Sequence, residues 1–214
     1  MTNNADFSNI KLMDIVYCIE SKELLSTLPE SFQGIKKTPV HDWSHFLSRK
    51  ALSGALETIN IQVKPEDVKI ERHLHIENNQ ELLASLSHTD GHGVGLVVQK
   101  GDFISVGIDI ELRERKVKEG INKFYFNDHD SLELQADPLL LWSLKEAAFK
   151  ALSPYIETLQ EKTFVLKDLW INDSHFGLVS NPSRALGMVD YAYELRADDL
   201  LLISFALLAD VTID

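Results

Sequence analysis

Residues 105–111 read Ser-Val-Gly-Ile-Asp-Ile-Glu. Val106, Ile108 and Ile110 alternate with Gly107, Asp109 and Glu111, the period of a strand with one apolar and one polar face. The apolar half demands a packed partner. The polar half sets Asp109 and Glu111 on the same side of one strand, with Cα atoms roughly 7 Å apart. Two readings fit. The acids line the wet face of an edge strand, or they are oxygen ligands for a hard cation, which would relieve their mutual repulsion.

Periodicity divides the rest of the chain into mixed helices and strands. Asp14–Glu20 reads as a first strand. A helix is expected from Asp42, as N-cap, through Trp43-Ser-His-Phe-Leu-Ser-Arg-Lys-Ala-Leu-Ser-Gly-Ala-Leu-Glu-Thr-Ile59. Leu82–His88 and Gly93–Gln99 read as strands joined by a turn whose Gly91 and Gly93 permit positive φ. After the acidic strand a second helical region is expected over 121–135. A strong helix follows from Pro138, a residue suited to the first turn, and Ser153-Pro154 ends it. Segments 163–173, 175–180, 188–196 and 200–209 read as strands. The helices share an echo: Arg49-Lys50-Ala51 and Ala55-Leu56 align with Lys145-Glu146-Ala147 and Ala151-Leu152. The expected fold class is α+β.

Composition narrows the possible partners. The 214 residues carry a formal charge of −12, which argues against nucleic acid and anionic membranes, both of which need a basic footprint. Cys18 is the single cysteine, so no disulfide forms within the chain, and a cytoplasmic setting is expected. The opening MTNNADFSN is polar and lacks the pattern of a signal peptide. The apolar run from Leu200 is too short to span a bilayer and reads as a buried strand.

On the helix from Pro138, Leu141, Leu144, Ala148, Ala151 and Leu152 form the core stripe. Trp142, Glu146 and Lys150 recur every four residues and share another face. Glu146 and Lys150 read either as a surface ion pair or as a third carboxylate and an ammonium directed at one ligand. Lys145, about 100° further round, is also within reach of a phosphate. A cation, three acids and one or two lysines suit reaction at a phosphate ester.

Val106-Gly-Ile-Asp-Ile-Glu111 followed by Trp142-Ser-Leu-Lys-Glu-Ala-Ala-Phe-Lys-Ala-Leu152 resembles the paired signature of the 4′-phosphopantetheinyl transferases. The length and the upstream Ser87-His88 resemble the large two-lobed class that includes the surfactin and enterobactin synthetase activators. The resemblance spans about residues 85 to 155. It implies two similar pseudo-symmetric lobes, 1–104 and 105–214, joined in one compact unit. Each would be a mostly antiparallel sheet packed on a long helix, with coenzyme A in the cleft between them. It implies Mg²⁺-dependent transfer of 4′-phosphopantetheine from coenzyme A to a serine of an apo acyl or peptidyl carrier protein, by a monomer. Asp109, Glu111 and Glu146 would bind the metal. Glu146 and Lys150 would be catalytic. Arg49, Lys50, His88, Lys145 and Lys150 would contact coenzyme A. The alternative is a module of the same fold that binds coenzyme A or a carrier protein without turnover. One departure is visible: His73–His88 lacks the Gly-Lys-Pro type of segment that often precedes the Ser-His element.

Other motifs read as structural. His41 and His45 have the i,i+4 spacing of helical zinc ligands but no third partner in the sequence. His88, Asp90 and His92 read as a turn with one phosphate-facing histidine. Asp128–Asp130 is expected to cap a helix, and Cys18 to fill a core strand. Arg113, Arg115, Lys116 and Lys118 form either a carrier-docking patch or a solvated loop.

Overall fold

Two five-stranded antiparallel sheets, each covered by one long helix, make up the protein. The computed structural model describes residues 15–71, 74–101, 103–118, 120–156 and 164–209. Asp14 and Thr163, at the starts of two expected strands, lie outside them.

The first sheet comprises β1 (Ile15–Ser21), β2 (Ile70–Glu71), β3 (His75–Ile76), β4 (Asn79–Thr89) and β5 (His92–Gln99), with α1 (Pro39–Thr58) against it. The second comprises β6 (Ser105–Leu112), β7 (Leu169–Asn172), β8 (His175–Leu178), β9 (Ala185–Arg196) and β10 (Asp199–Leu208). The short α2 (Leu132–Gln135) and α3 (Pro138–Leu152) precede β7. The sheet orders are β1-β5-β4-β3-β2 and β6-β10-β9-β8-β7. Each runs first, last, fourth, third, second, with a helix after its first strand, so the two halves repeat one topology. The α+β class and the pair of sheet-and-helix units are as expected.

The alternation in β6 now has its reason. Val106, Ile108 and Ile110 pack with Leu83, Val94 and Leu96 of the first sheet and with Ile203 and Phe205 of β10. This apolar layer lies between the sheets. On the outer faces, Leu52, Ala55 and Leu56 of α1 pack on Ala84 and Val97, and Leu141, Leu144 and Ala148 of α3 pack near Ile171 and Leu202. The run from Leu200 is β10, buried through its centre. No helix among the described residues is long and apolar enough to cross a membrane.

Two local expectations are corrected. Helix α1 starts earlier than Asp42: Thr38 is the N-cap, its side chain accepting from His41 N–H at 3.3 Å, and Pro39 takes the first turn. Asp42 is buried instead, accepting from Gly34 N–H at 2.9 Å and Lys36 N–H at 2.7 Å, and so ties down the incoming loop. Residues 121–135 form only a 3-10 turn at Ile121–Phe124 and α2. Asn127, Asp130 and Ser131 direct their side chains at nearby backbone N–H groups, which favours turns over a continuous helix.

Candidate active site

Gly107 fixes the position of α3. A Cβ there would collide with the carbonyl oxygen of Ala147, so the glycine lets helix and strand touch backbone to backbone. Ser143, Ala147, Lys150 and Ala151 lie on the α3 face that meets β6. The Lys150 ammonium reaches Asp109 Oδ1 at 2.7 Å and also donates to the Ser87 hydroxyl at 2.8 Å and the Ile108 carbonyl at 3.1 Å. The Ser143 hydroxyl donates to Asp109 Oδ2 at 3.0 Å.

The first lobe completes this junction through β4. Ser87 donates to Asp109 Oδ1 at 3.0 Å, and Ser85 accepts from the Ile108 N–H at 3.1 Å. Thr89 donates to Glu111 Oε2 at 3.4 Å. Of these alternating hydroxyls, Ser85 satisfies a backbone N–H at the open edge of β6, while Ser87 and Thr89 hold its two carboxylates. Sequence reasoning noted only Ser87; the period-two row Ser-x-Ser-x-Thr was the available signal.

Asp109 and Glu111 are both buried, and their charges are met from within the protein. Arg115 Nη1 approaches both oxygens of Glu111, at 2.5 and 2.6 Å. Burial nevertheless pushes the Glu111 carboxyl up, with Asp109 adding to the push and Arg115 opposing it. Glu146 is pushed up by burial first, then by Asp109 and Glu111, against Lys150 and Arg115. The three carboxylates thus sense one another.

Among the described residues, no three His, Cys, Asp or Glu side chains are gathered closely enough to hold a metal ion as they stand. Lys150 and Arg115 take acceptor positions on two of the acids. The donor chemistry still suits a hard cation. It consists of carboxylate oxygens under mutual repulsion, and the Glu146 carboxylate makes no hydrogen bond among the described residues. The Ser204 hydroxyl, cross-strand from Asp109, is buried without a partner among the described residues.

The other site candidates divide. Arg49 of α1 is half-buried, its Nη1 2.9 Å from His45 Nδ1, and it lines a pocket of about 250 Å³ with Ser85, Lys150 and Ser153. His88, at the exposed end of β4, lines a cleft of about 820 Å³ between the lobes with Val40, Ser44, Arg115 and Asp199. The surrounding walls, then Lys150 and His41, push its imidazole below the usual histidine range, against Asp109. Lys50 is turned to Glu20 of β1, 2.6 Å away.

Lys145 does not point at the cleft. Its side chain is 0% exposed and pairs with Asp130, also 0% exposed, at 2.7 Å. It donates to the Leu169 carbonyl at 2.8 Å and to that of Tyr125. Asp130 in turn accepts from the backbone of Ile171 and Asn127, both at 2.9 Å. The expected phosphate contact is thus replaced by an internal clamp joining α3, the loop before α2 and β7. Asp130, expected as a cap, is its anion.

The motifs read as structural also have their places. The His45 ring lies 5.8 Å from Phe32 as well as against Arg49. His92 is buried between Ser21 (2.8 Å) and Asp199 (2.9 Å), bridging the lobes. Arg113 is half-buried and drawn to Asp137 at 2.7 Å, whereas Arg115, paired with Glu111, and Lys116 and Lys118 are the exposed members of that basic run.

Residues 105–177, from β6 to β8, match the family model of the 4′-phosphopantetheinyl transferase superfamily. No curated protein matches the chain.

Proposed function

We propose that this chain, whose residues 105–177 match the family model of the 4′-phosphopantetheinyl transferase superfamily, transfers 4′-phosphopantetheine from coenzyme A to a serine of an apo acyl or peptidyl carrier protein. Mg²⁺ is required and adenosine 3′,5′-bisphosphate is released. The observation that carries this reading is the α3–β6 contact at Gly107, with Lys150 on Asp109 and the Glu146 carboxyl raised by Asp109 and Glu111.

Asp109, Glu111 and Glu146 would hold Mg²⁺, which when bound supplies Lewis-acid polarisation of the pyrophosphate oxygens. Glu146 takes the proton of the carrier serine, a role suited to a carboxyl whose proton affinity is raised. The serine oxygen bonds to the phosphorus that carries pantetheine, and the bond from that phosphorus to the bridging oxygen breaks. Adenosine 3′,5′-bisphosphate departs with the bond's electron pair. The Lys150 ammonium offsets the charge that gathers on the phosphates. Arg49 and His88 hold phosphates from the first-lobe side. Lys145 and Lys50 contribute through the fold, since their ammonium groups are already paired.

The test is an intact-mass assay with coenzyme A, Mg²⁺ and a panel of apo carrier proteins. One carrier gains a single phosphopantetheine, and EDTA abolishes the gain. Asp109→Ala and Glu146→Ala remove the activity while the protein stays folded, and Arg49→Ala raises the KM for coenzyme A. Normal turnover in Asp109→Ala would overturn the mechanism.

A further inference from the structure

Asp109 is held by three donors, and its two oxygens are not treated alike. A carboxylate offers about four acceptor positions, two per oxygen. Oδ1 receives both the Ser87 hydroxyl and the Lys150 ammonium, at 3.0 and 2.7 Å. Among the described residues, Oδ2 receives only the Ser143 hydroxyl, at 3.0 Å. Oδ1 is therefore filled, while Oδ2 keeps one acceptor position.

Ser143 is 0% exposed within α3. A serine inside a helix is less favourable than alanine and commonly bonds back to the carbonyl one turn earlier. Here its hydroxyl goes to Asp109 instead. It shares its helix face with Lys150, seven residues on, so one surface of α3 grips both oxygens of Asp109. The close approach at Gly107 brings that surface within hydrogen-bond distance.

We propose that Ser143 is a positioning residue: it fixes the Asp109 carboxylate so that Oδ2 is the oxygen presented to a divalent cation, while Lys150 retains Oδ1. The inference rests on the assignment of Asp109 as a metal ligand. Groups that orient a ligating carboxylate contribute about 10- to 100-fold to metal affinity.

The test measures Mn²⁺ binding to the full-length protein by electron paramagnetic resonance, with thermal melting of the metal-free protein alongside. Ser143→Ala weakens Mn²⁺ binding about tenfold, while the metal-free melting temperature moves by only a few degrees. Ser143→Cys, which keeps a weak donor at similar volume, falls between alanine and wild type, and it decides the matter if the alanine variant misfolds. Mn²⁺ affinity equal to wild type in both variants overturns the inference, whatever the melting temperature does. Asp109→Ala separates the two levels. If it binds Mn²⁺ as tightly as wild type, or wild type binds none, the ligand assignment falls and the inference with it. If Asp109→Ala abolishes binding and Ser143→Ala leaves it intact, only the inference falls.

Discussion

In the first lobe α1 lies over β5, where a Cβ on Gly93 or Gly95 would strike the backbone of Leu47, Ser48 or Leu52. In the second lobe α3 lies over β6, where Gly107 admits Ala147. The same strand order thus carries its helix one strand apart in the two halves. Aligned by their helix echo, Lys50 answers to Glu146. Tyr17-Cys-Ile-Glu20 on β1 answers to Ile108-Asp-Ile-Glu111 on β6. In the first lobe, Lys50 and Glu20 neutralise each other at 2.6 Å. In the second, both corresponding residues are glutamates, and Asp109 stands where the first lobe has Cys18. Lys150 and Arg115 meet only part of that negative charge. One repeated frame therefore gives a closed ion pair on one side and an excess of carboxylate on the other, which is the side where the cation is proposed to bind.

The largest expected effect contrasts the ion pairs of the two lobes. Asp130→Ala leaves the Lys145 charge buried and unpaired, which destabilises the protein by about 3–5 kcal/mol. Lys50→Ala breaks a partly exposed pair and shifts stability by no more than about 1 kcal/mol. Urea unfolding of the two variants measures the difference, and equal losses would end the contrast. Next are the glycines under the helices. Gly107→Ala and Gly93→Ala each destabilise by about 1–3 kcal/mol through overpacking. Only Gly107→Ala also weakens Mn²⁺ binding, because α3 carries Glu146, Lys150 and Ser143. Loss of Mn²⁺ binding in both variants would mean that the lobes do not divide the work in this way.

A smaller effect belongs to the first lobe. Burial, then Arg49 and Lys36, push the His45 imidazole down to about 4, against Asp42. The unfolded chain takes up a proton near pH 6.5, which the folded protein resists until about pH 4. Stability is therefore full above pH 6.5 and falls as the pH drops through that window. His45→Gln, which cannot titrate, flattens the slope. Melting curves from pH 7 to pH 4 check this, and an unchanged slope would show that His45 takes its proton freely in the fold.

How far the sequence carried depended on the range of the interactions. The face alternation of β6, the Pro138 start of α3 and the turn at Gly91 (φ +72°) follow from neighbours in the chain, and all were legible. The pairing of Asp109 with Lys150 was not legible, since the sequence offered Glu146, four residues away on the same helix, as the lysine's partner. Lys145 was misjudged because its partners, Tyr125, Asp130 and Leu169, stand 15 to 24 residues away and have no local pattern. The early start of α1 was missed for a different reason. Thr38-Pro39 is itself a capping signal, and Asp42, also a good cap residue, competed with it in the sequence while turning back to Gly34 and Lys36 in the fold.

The smallest effect concerns Arg115, which has no partner in the repeat. Its side chain is 54% exposed, while that of Glu111 is 7% exposed, so the guanidinium covers a buried acid from the solvent side. An ion pair with one exposed partner contributes up to about 1 kcal/mol, and a cation claiming Glu111 must displace it. Arg115→Ala therefore tightens Mn²⁺ binding by up to about fivefold. Part of the gain comes from removing a nearby positive charge, and that part shrinks at high ionic strength. Titrations at low and high salt separate the two contributions. If Arg115→Ala weakens binding instead, Arg115 holds Glu111 in position rather than competing for it. The second lobe would then resemble the first more closely, with its internal cation a fixed member of the site as Lys50 is of the Glu20 pair.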